Sequence, residues 1–495
     1  MRFVGLAFNV YLSNKLGAET IGIFTLVMSV YLFFVTIATS GISMAITCIV
    51  SEELEKNNKE KAFQSLRTSM SLSLTLGITS GILIILFSDF IISVCLNNLV
   101  SKKILFYIAI GLPFIAMSSC INGYFSAIRK AYKTAFVQSF ELIFKIIVTI
   151  ILLPNSISKG VENICISLIL ADVIAEIASF TVIYICYLYE KRKFFSSGSG
   201  YGNFKKIAKL SVPVALTSYI RSALSTIKQL IIPARLEKSG LSSSMSFASY
   251  GIIQGMVMPI LTFPNIFVTS FSNLLIPEFS RFHASRSNNS LSIICDKIFK
   301  LTAVFSICIS SIFLIFSNEL SLAIYQNLES AKWIKVLSPL VFFMYMDTVI
   351  DGVLKGMQKQ VFVMGGNITD LIVTIILLYF LLPILGIWGF IVSIIVSELL
   401  NFTISFLQLW KLTKFKIDFK NYLLKPIFAG LCSYFILYVF SLINTNSILG
   451  LIVSIVLFCC FYFFVYVLLN LKLKELFNSR GHFSIYTTLK KLFIE

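Results

Sequence analysis

The chain has 495 residues, of which 57% are hydrophobic and only 13% charged, with a mean hydropathy of +0.90. Soluble domains carry about 25% charged residues to face water, so a soluble enzyme, a disordered chain and a secreted disulfide scaffold are excluded. The net charge of +18 fits a membrane protein that keeps Lys and Arg in its cytoplasmic loops, and no nucleic-acid partner is expected.

A spanning helix needs about 20 apolar residues. The chain opens on a shorter apolar stretch, 3–13, which reads as a clipped first helix. No small-residue cleavage site follows, so it is not a signal peptide. Longer apolar runs follow at 21–50, 69–96, 104–127, 134–153, 163–189, 207–233, 247–277, 300–317, 333–354, 361–381, 386–410, 422–443 and 447–471. Numbered from 3–13, they are runs 1 to 14. The expected fold is an all-α integral membrane protein of about fourteen transmembrane helices.

Loop charge supports this numbering. Loops after even-numbered runs, counted with the first few residues of the run that follows and with the C-terminal tail, hold 29 of the 41 Lys and Arg; loops after odd-numbered runs, counted the same way, hold 8. The other four, Arg2, Lys145, Arg221 and Lys228, belong to neither set of loops. The positive-inside rule then places both termini in the cytoplasm of a bacterial cell. The longest loop, 190–206, combines Lys191-Arg192-Lys193 with a Gly/Ser stretch and reads as a flexible cytoplasmic linker. It divides an N-lobe (1–189, runs 1–6) from a C-lobe (207–410, runs 7–12), and 411–495 holds runs 13 and 14 with the tail.

The halves repeat. Asn122-Gly-Tyr-Phe-Ser-Ala-Ile-Arg-Lys130 matches Asp351-Gly-Val-Leu-Lys-Gly-Met-Gln-Lys359, and Glu141 stays in register with Asp370, 229 residues on (370 less 141). Repeated bundles around a shared cleft are a secondary-transporter architecture. The ten cysteines are scattered through apolar runs with no CxxC, and His283 and His482 stand apart. Neither a disulfide framework, a metal site nor a cofactor is expected.

Charges at bilayer depth usually face a cavity or a partner. Run 7 carries Ser218, Arg221, Ser222, Ser225, Lys228 and Gln229 at three-, four- and seven-residue steps, which is one stripe of a helix. Arg221 and Lys228 have no acidic neighbour three or four residues away. Two such cations suit a diphosphate; pairing with acids on other helices, or snorkelling of Lys228, are the alternatives. Glu141 and Lys145 on run 5 are spaced for an in-helix ion pair. Asp172 and Glu176 on run 6 are two like charges one turn apart, which suits ion coupling or pairing across the bundle with Lys145 or Arg221. Asp370 and Glu398 stand singly in runs 11 and 12.

Leu16-Gly-Ala-Glu-Thr-Ile-Gly-Ile-Phe24, Thr39-Ser-Gly-Ile-Ser-Met-Ala-Ile46, Ile231-Ile-Pro-Ala-Arg-Leu236 and Tyr250-Gly-Ile-Ile-Gln-Gly-Met-Val-Met-Pro259 resemble the stage V sporulation protein B family. This family lies in the polysaccharide-flippase branch of the multidrug/oligosaccharidyl-lipid/polysaccharide exporter superfamily. The resemblance implies fourteen helices, two pseudo-symmetric six-helix lobes around a central cavity, and movement of a lipid-linked sugar across the cytoplasmic membrane. It also implies a role in cell-wall or spore-cortex peptidoglycan synthesis. Relatives often carry arginine in the first helix where this chain has Asn9 and Asn14, so a substrate contact through Asn9 is weaker.

The reading is therefore a flippase, not an enzyme. It would handle a lipid-linked sugar diphosphate in contact with membrane lipids, as a monomer working beside cell-wall synthesis enzymes. Runs 13 and 14 would form a groove for the lipid tail. Two alternatives stand beside this: a cation-coupled multidrug exporter, which would want an acidic, cation-poor cavity, and a membrane-embedded sugar polymerase or transferase, which would want sizeable exposed loops.

Overall fold

The computed structural model describes residues 2–96, 100–194, 204–284, 288–414, 418–439 and 447–470. Every regular element among the described residues is helical. Among the described residues, eleven helices are long and apolar enough to cross a membrane, or up to twelve if the bent pair Leu328–Leu337 and Leu340–Gly356 is one span. Fourteen runs and this count differ for identifiable reasons. The 34-residue Phe204–Glu237 helix, run 7, is absent from the eleven because its polar stripe lowers its hydropathy. Runs 1 and 2 merge into one 53-residue stretch, Phe3–Glu55. At 1.5 Å per residue that is about 80 Å, far beyond the roughly 30 Å hydrocarbon core. Its backbone breaks at Gly17 (φ 77°, ψ 169°) and again before Gly41 (φ 81°), both left-handed positions that suit glycine.

The helices divide into two compact units, residues 1–259 with 364–397, and residues 260–363 with 398–495. In the first, runs 3 and 4 pack through small residues. Ser69, Ser73, Ser80 and Gly81 are buried on the Lys59–Leu86 helix, and a Cβ on Gly77 would lie 2.6 Å from Pro113 Cα. Lipid tails give no hydrophobic drive to helix association, so close backbone packing supplies it. The start of run 8 meets run 2 in the same way: Gly251 leaves no room for a Cβ against Ala18 O (1.9 Å), nor Gly22 against Phe247 O (2.2 Å).

Pro259 has no N–H to offer the carbonyl of Gly255 four residues back. The backbone widens there into a π-helix over Gly251–Val257, and Asn9 Nδ2 donates to Gly255 O at 3.3 Å. Asn9 thus serves the helix ladder. At one end of runs 2 and 7, Lys206 reaches Glu52 (2.8 Å) and Glu53 (3.2 Å).

The internal repeat recurs in tertiary contacts. Ser51 Oγ donates to Ala127 O (3.5 Å) in the first unit, and Ser280 Oγ to Gly356 O (2.9 Å) in the second. Each pair is 76 residues apart, and the pairs stand 229 apart (280 less 51; 356 less 127). Gly123 lies on Ser43, and Gly352, at the same offset, lies on Ser272. In the second unit, runs 9, 13 and 14 share a core of Phe316, Leu437, Phe458 and Tyr462, and Tyr462 OH donates to Val304 O (2.9 Å).

Candidate functional site

Two polar constellations lie in the first compact unit. The first is on run 7. Tyr219 OH donates to Ile37 O (3.1 Å), Ser222 Oγ to Thr36 Oγ1 (3.1 Å) and Thr226 Oγ1 to Ser29 O (3.1 Å), so these three residues fasten run 7 to run 2. A helix turns about 100° per residue, which puts Arg221 and Lys228 within about 20° of each other and some 140–160° from Thr226. The two cations therefore turn away from run 2. Arg221 is exposed and Lys228 half-buried, and among the described residues neither makes an ion pair. Ser225 falls beside them. Ser218 instead bonds its own helix at Val214 O (2.9 Å), and Gln229 Oε1 accepts from Tyr250 OH (3.1 Å). Of the predicted stripe, Ser218, Ser222 and Gln229 thus have protein partners.

The second constellation joins runs 4, 5 and 6. The in-helix pair of Glu141 with Lys145 gives way to a cross-helix one: Lys145 forms its ion pair with Asp172. The Asp172 side chain is only 9% exposed, and the ion pair across the bundle offsets its desolvation. Glu141 accepts from Ser179 Oγ (2.9 Å) and faces Glu176. Neither Glu141 nor Glu176 makes an ion pair among the described residues. Both line a cleft of 690 Å³ with Ser118, Asn122 and Ser179. Tyr31 lies within electrostatic range of Glu141, Asp172 and Glu176. Asn122 Oδ1 and Asp172 Oδ2 are buried without a hydrogen-bond partner. The cleft thus sets two carboxylates among hydroxyls and carboxamides with no Lys or Arg in its lining, a setting for a proton or a small cation.

Ser118 and Asn122 were not picked out by charge. The repeat held the signal: their counterparts 229 residues on are Asp347 and Asp351 (118 to 347, 122 to 351). Asp370, counterpart of Glu141, accepts from Ser397 Oγ (2.5 Å) and lies within electrostatic range of Lys228. Glu398 belongs to the other compact unit and is not without a partner.

The family model for "Polysaccharide biosynthesis protein" matches residues 1–283. The chain belongs to this polysaccharide biosynthesis family. It is 22% identical to stage V sporulation protein B of Bacillus subtilis (strain 168) over 447 residues, 88% of this chain and 85% of that one. Its fold is similar to that of the lipid II flippase MurJ in an inward closed conformation (TM-score 0.72, 15% identity, 96% of this chain and 97% of that one). It also resembles an inward-facing MATE-family multidrug transporter of the MOP superfamily (TM-score 0.70, 14% identity, 84% of this chain and 96% of that one). This member of the polysaccharide biosynthesis family is a multi-pass membrane protein with the fold of the lipid II flippase and MATE-family transporter structures.

Proposed function

We propose that this chain moves a lipid-linked oligosaccharide, a peptidoglycan precursor of cell wall or spore cortex, across the cytoplasmic membrane by alternating access. The observation that carries the reading is the face of run 7 that presents Arg221 and Lys228 without ion pairs. A cation in lipid at the centre of a helix costs about 2.5–3.5 kcal/mol, so these side chains call for a wet, anion-binding face. A diphosphate supplies the oxygens that a guanidinium fork holds by two bonds. The relatives named for lipid II and for sporulation support the substrate class. The deciding assay is transbilayer movement of defined lipid-linked sugars in vesicles containing the purified protein; no movement of any of them sinks the reading.

In this proposal the Glu141–Glu176 pair couples transport to a proton or cation. Glu176→Gln is expected to fold and to change how transport depends on the ion gradient or membrane potential. Asp172→Asn is expected to lower the melting temperature, because it removes the partner of the half-buried Lys145, a loss smaller than the about 3–5 kcal/mol of fully buried pairs; adding Lys145→Met should recover part of it. If Glu176→Gln transports normally under every gradient, the pair is structural. The same cleft, lined by two carboxylates and no Lys or Arg, favours a second reading, a cation-coupled drug exporter. Drug efflux without lipid-linked sugar movement would select it.

Topology follows from the charge asymmetry and carries its own prediction. Single cysteines placed in 190–206 and in the C-terminal tail should resist an impermeant thiol reagent in intact cells and react after permeabilisation. Labelling of either from outside overturns the proposed cytoplasmic termini.

A further inference from the structure

Run 13 begins in a π-helix, Lys420–Leu424, which leads directly into Lys425. Lys425 lies within electrostatic range of Lys300, at the start of run 9, of Lys420 and of the acid Asp418. Its Nζ is 2.9 Å from Asn470 Oδ1, at the end of run 14. Three lysines from two helices therefore share one end of the second compact unit. The nearby acids are occupied with other donors. Tyr422 OH donates to Asp296, and Asn421 donates to Asp418 through its backbone N–H (3.2 Å) and its side chain. Among the described residues none of the three lysines makes an ion pair. Like charges set together repel, and an anion between them offsets that repulsion.

An apolar groove of 440 Å³ adjoins this cluster. Runs 9, 10 and 13 line it, through Ile307, Leu314, Phe342, Leu423, Ile427 and Leu431, and run 14 supplies none of its lining. Gly430 lets run 13 come close to run 9: a Cβ there would lie 2.9 Å from Ser311 Oγ. Along run 13 the lining extends from Leu423 to Tyr434, about 16 Å at 1.5 Å per residue. The hydrocarbon core is about 30 Å thick, so the groove is one leaflet deep.

We propose that this unit binds an anionic phospholipid of the bilayer, its phosphate among Lys300, Lys420 and Lys425 and one acyl chain in the groove. Charge complementarity selects the headgroup, because basic residues at the membrane surface attract anionic lipid. Groove depth selects a single-leaflet chain over a longer polyprenyl tail. The site belongs to the second compact unit and the Arg221–Lys228 face to the first, and the proposal does not rest on the transport reading, apart from the loop-charge topology that makes the leaflet the inner one.

The test uses the full chain in nanodiscs of phosphatidylcholine, with and without phosphatidylglycerol. Wild type is expected to melt several degrees higher with phosphatidylglycerol, and this gain should shrink as salt screens the headgroup. The triple variant K300Q/K420Q/K425Q should melt as wild type does in phosphatidylcholine alone and lose the gain. Gentle-ionisation mass spectrometry should find phosphatidylglycerol retained by wild type, and lost from the triple variant and from the groove-filling Leu431→Trp. An equal gain in the triple variant overturns the proposal. So does equal retention of phosphatidylcholine, or retention of a polyprenyl diphosphate in place of any phospholipid.

Discussion

Arg221→Ala is expected to insert and accumulate as wild type does and to lose movement of a lipid-linked diphosphate. The side chain is exposed and makes no ion pair among the described residues, so its removal strands no buried acid and opens no packed core. What disappears is a forked donor on the face it shares with Lys228. Charge-assisted hydrogen bonds contribute about 1.5–3 kcal/mol, so affinity should fall roughly tenfold or more. Arg221→Lys keeps the charge without the fork and should rescue only partly. Ser222→Ala tests the other face of the helix: it removes the bond to Thr36 and should cost stability more than substrate affinity. Wild-type transport by Arg221→Ala sinks the cation-face mechanism. Loss of accumulation makes Arg221 a structural ion.

Gly251→Leu should prevent stable accumulation of the protein, and Gly251→Ala should lower its melting temperature. Even a bare Cβ on Gly251 would meet Ala18 O at 1.9 Å and Ala18 C at 2.9 Å. Both obstacles are backbone, which cannot rotate aside as a side chain can. Runs 2 and 8 would have to part, losing the Gly22–Phe247 contact and the Asn9 bond to Gly255 with it. Overpacking of a close contact costs about 1–3 kcal/mol and sometimes more. Gly365→Ala is the control. It lies within the Gln360–Leu385 helix with nothing within 4 Å of its Cβ position, and Ala is the better helix former by about 1 kcal/mol. That variant should be neutral or slightly stabilised. Equal melting of the Gly251 and Gly365 alanine variants would falsify the close-packing account.

Several features were legible along the chain because their physics is local. Lipid as solvent follows from composition, since no fold can hide 57% hydrophobic residues behind 13% charged ones. The shared face of Arg221 and Lys228 follows from helical period alone, because seven residues make nearly two full turns. The repeat is readable because its glycines sit where helices touch: Gly123 and Gly352 keep their offset, and each meets a serine in the fold. The partners of the polar residues were not readable. Lys145 had two rivals in the sequence, Glu141 one turn away and Asp172 across the bundle, and only the packing chose Asp172. Asn9 answers a carbonyl 246 residues away. Ser222 belongs to the predicted polar stripe and spends its hydroxyl on Thr36. Each of these depends on how one helix is rotated against another, and that rotation is set by where small residues let backbones meet. Spacing along a helix fixes which side chains share a face; only the packing of helices decides which of those faces meets an acid, a carbonyl or water.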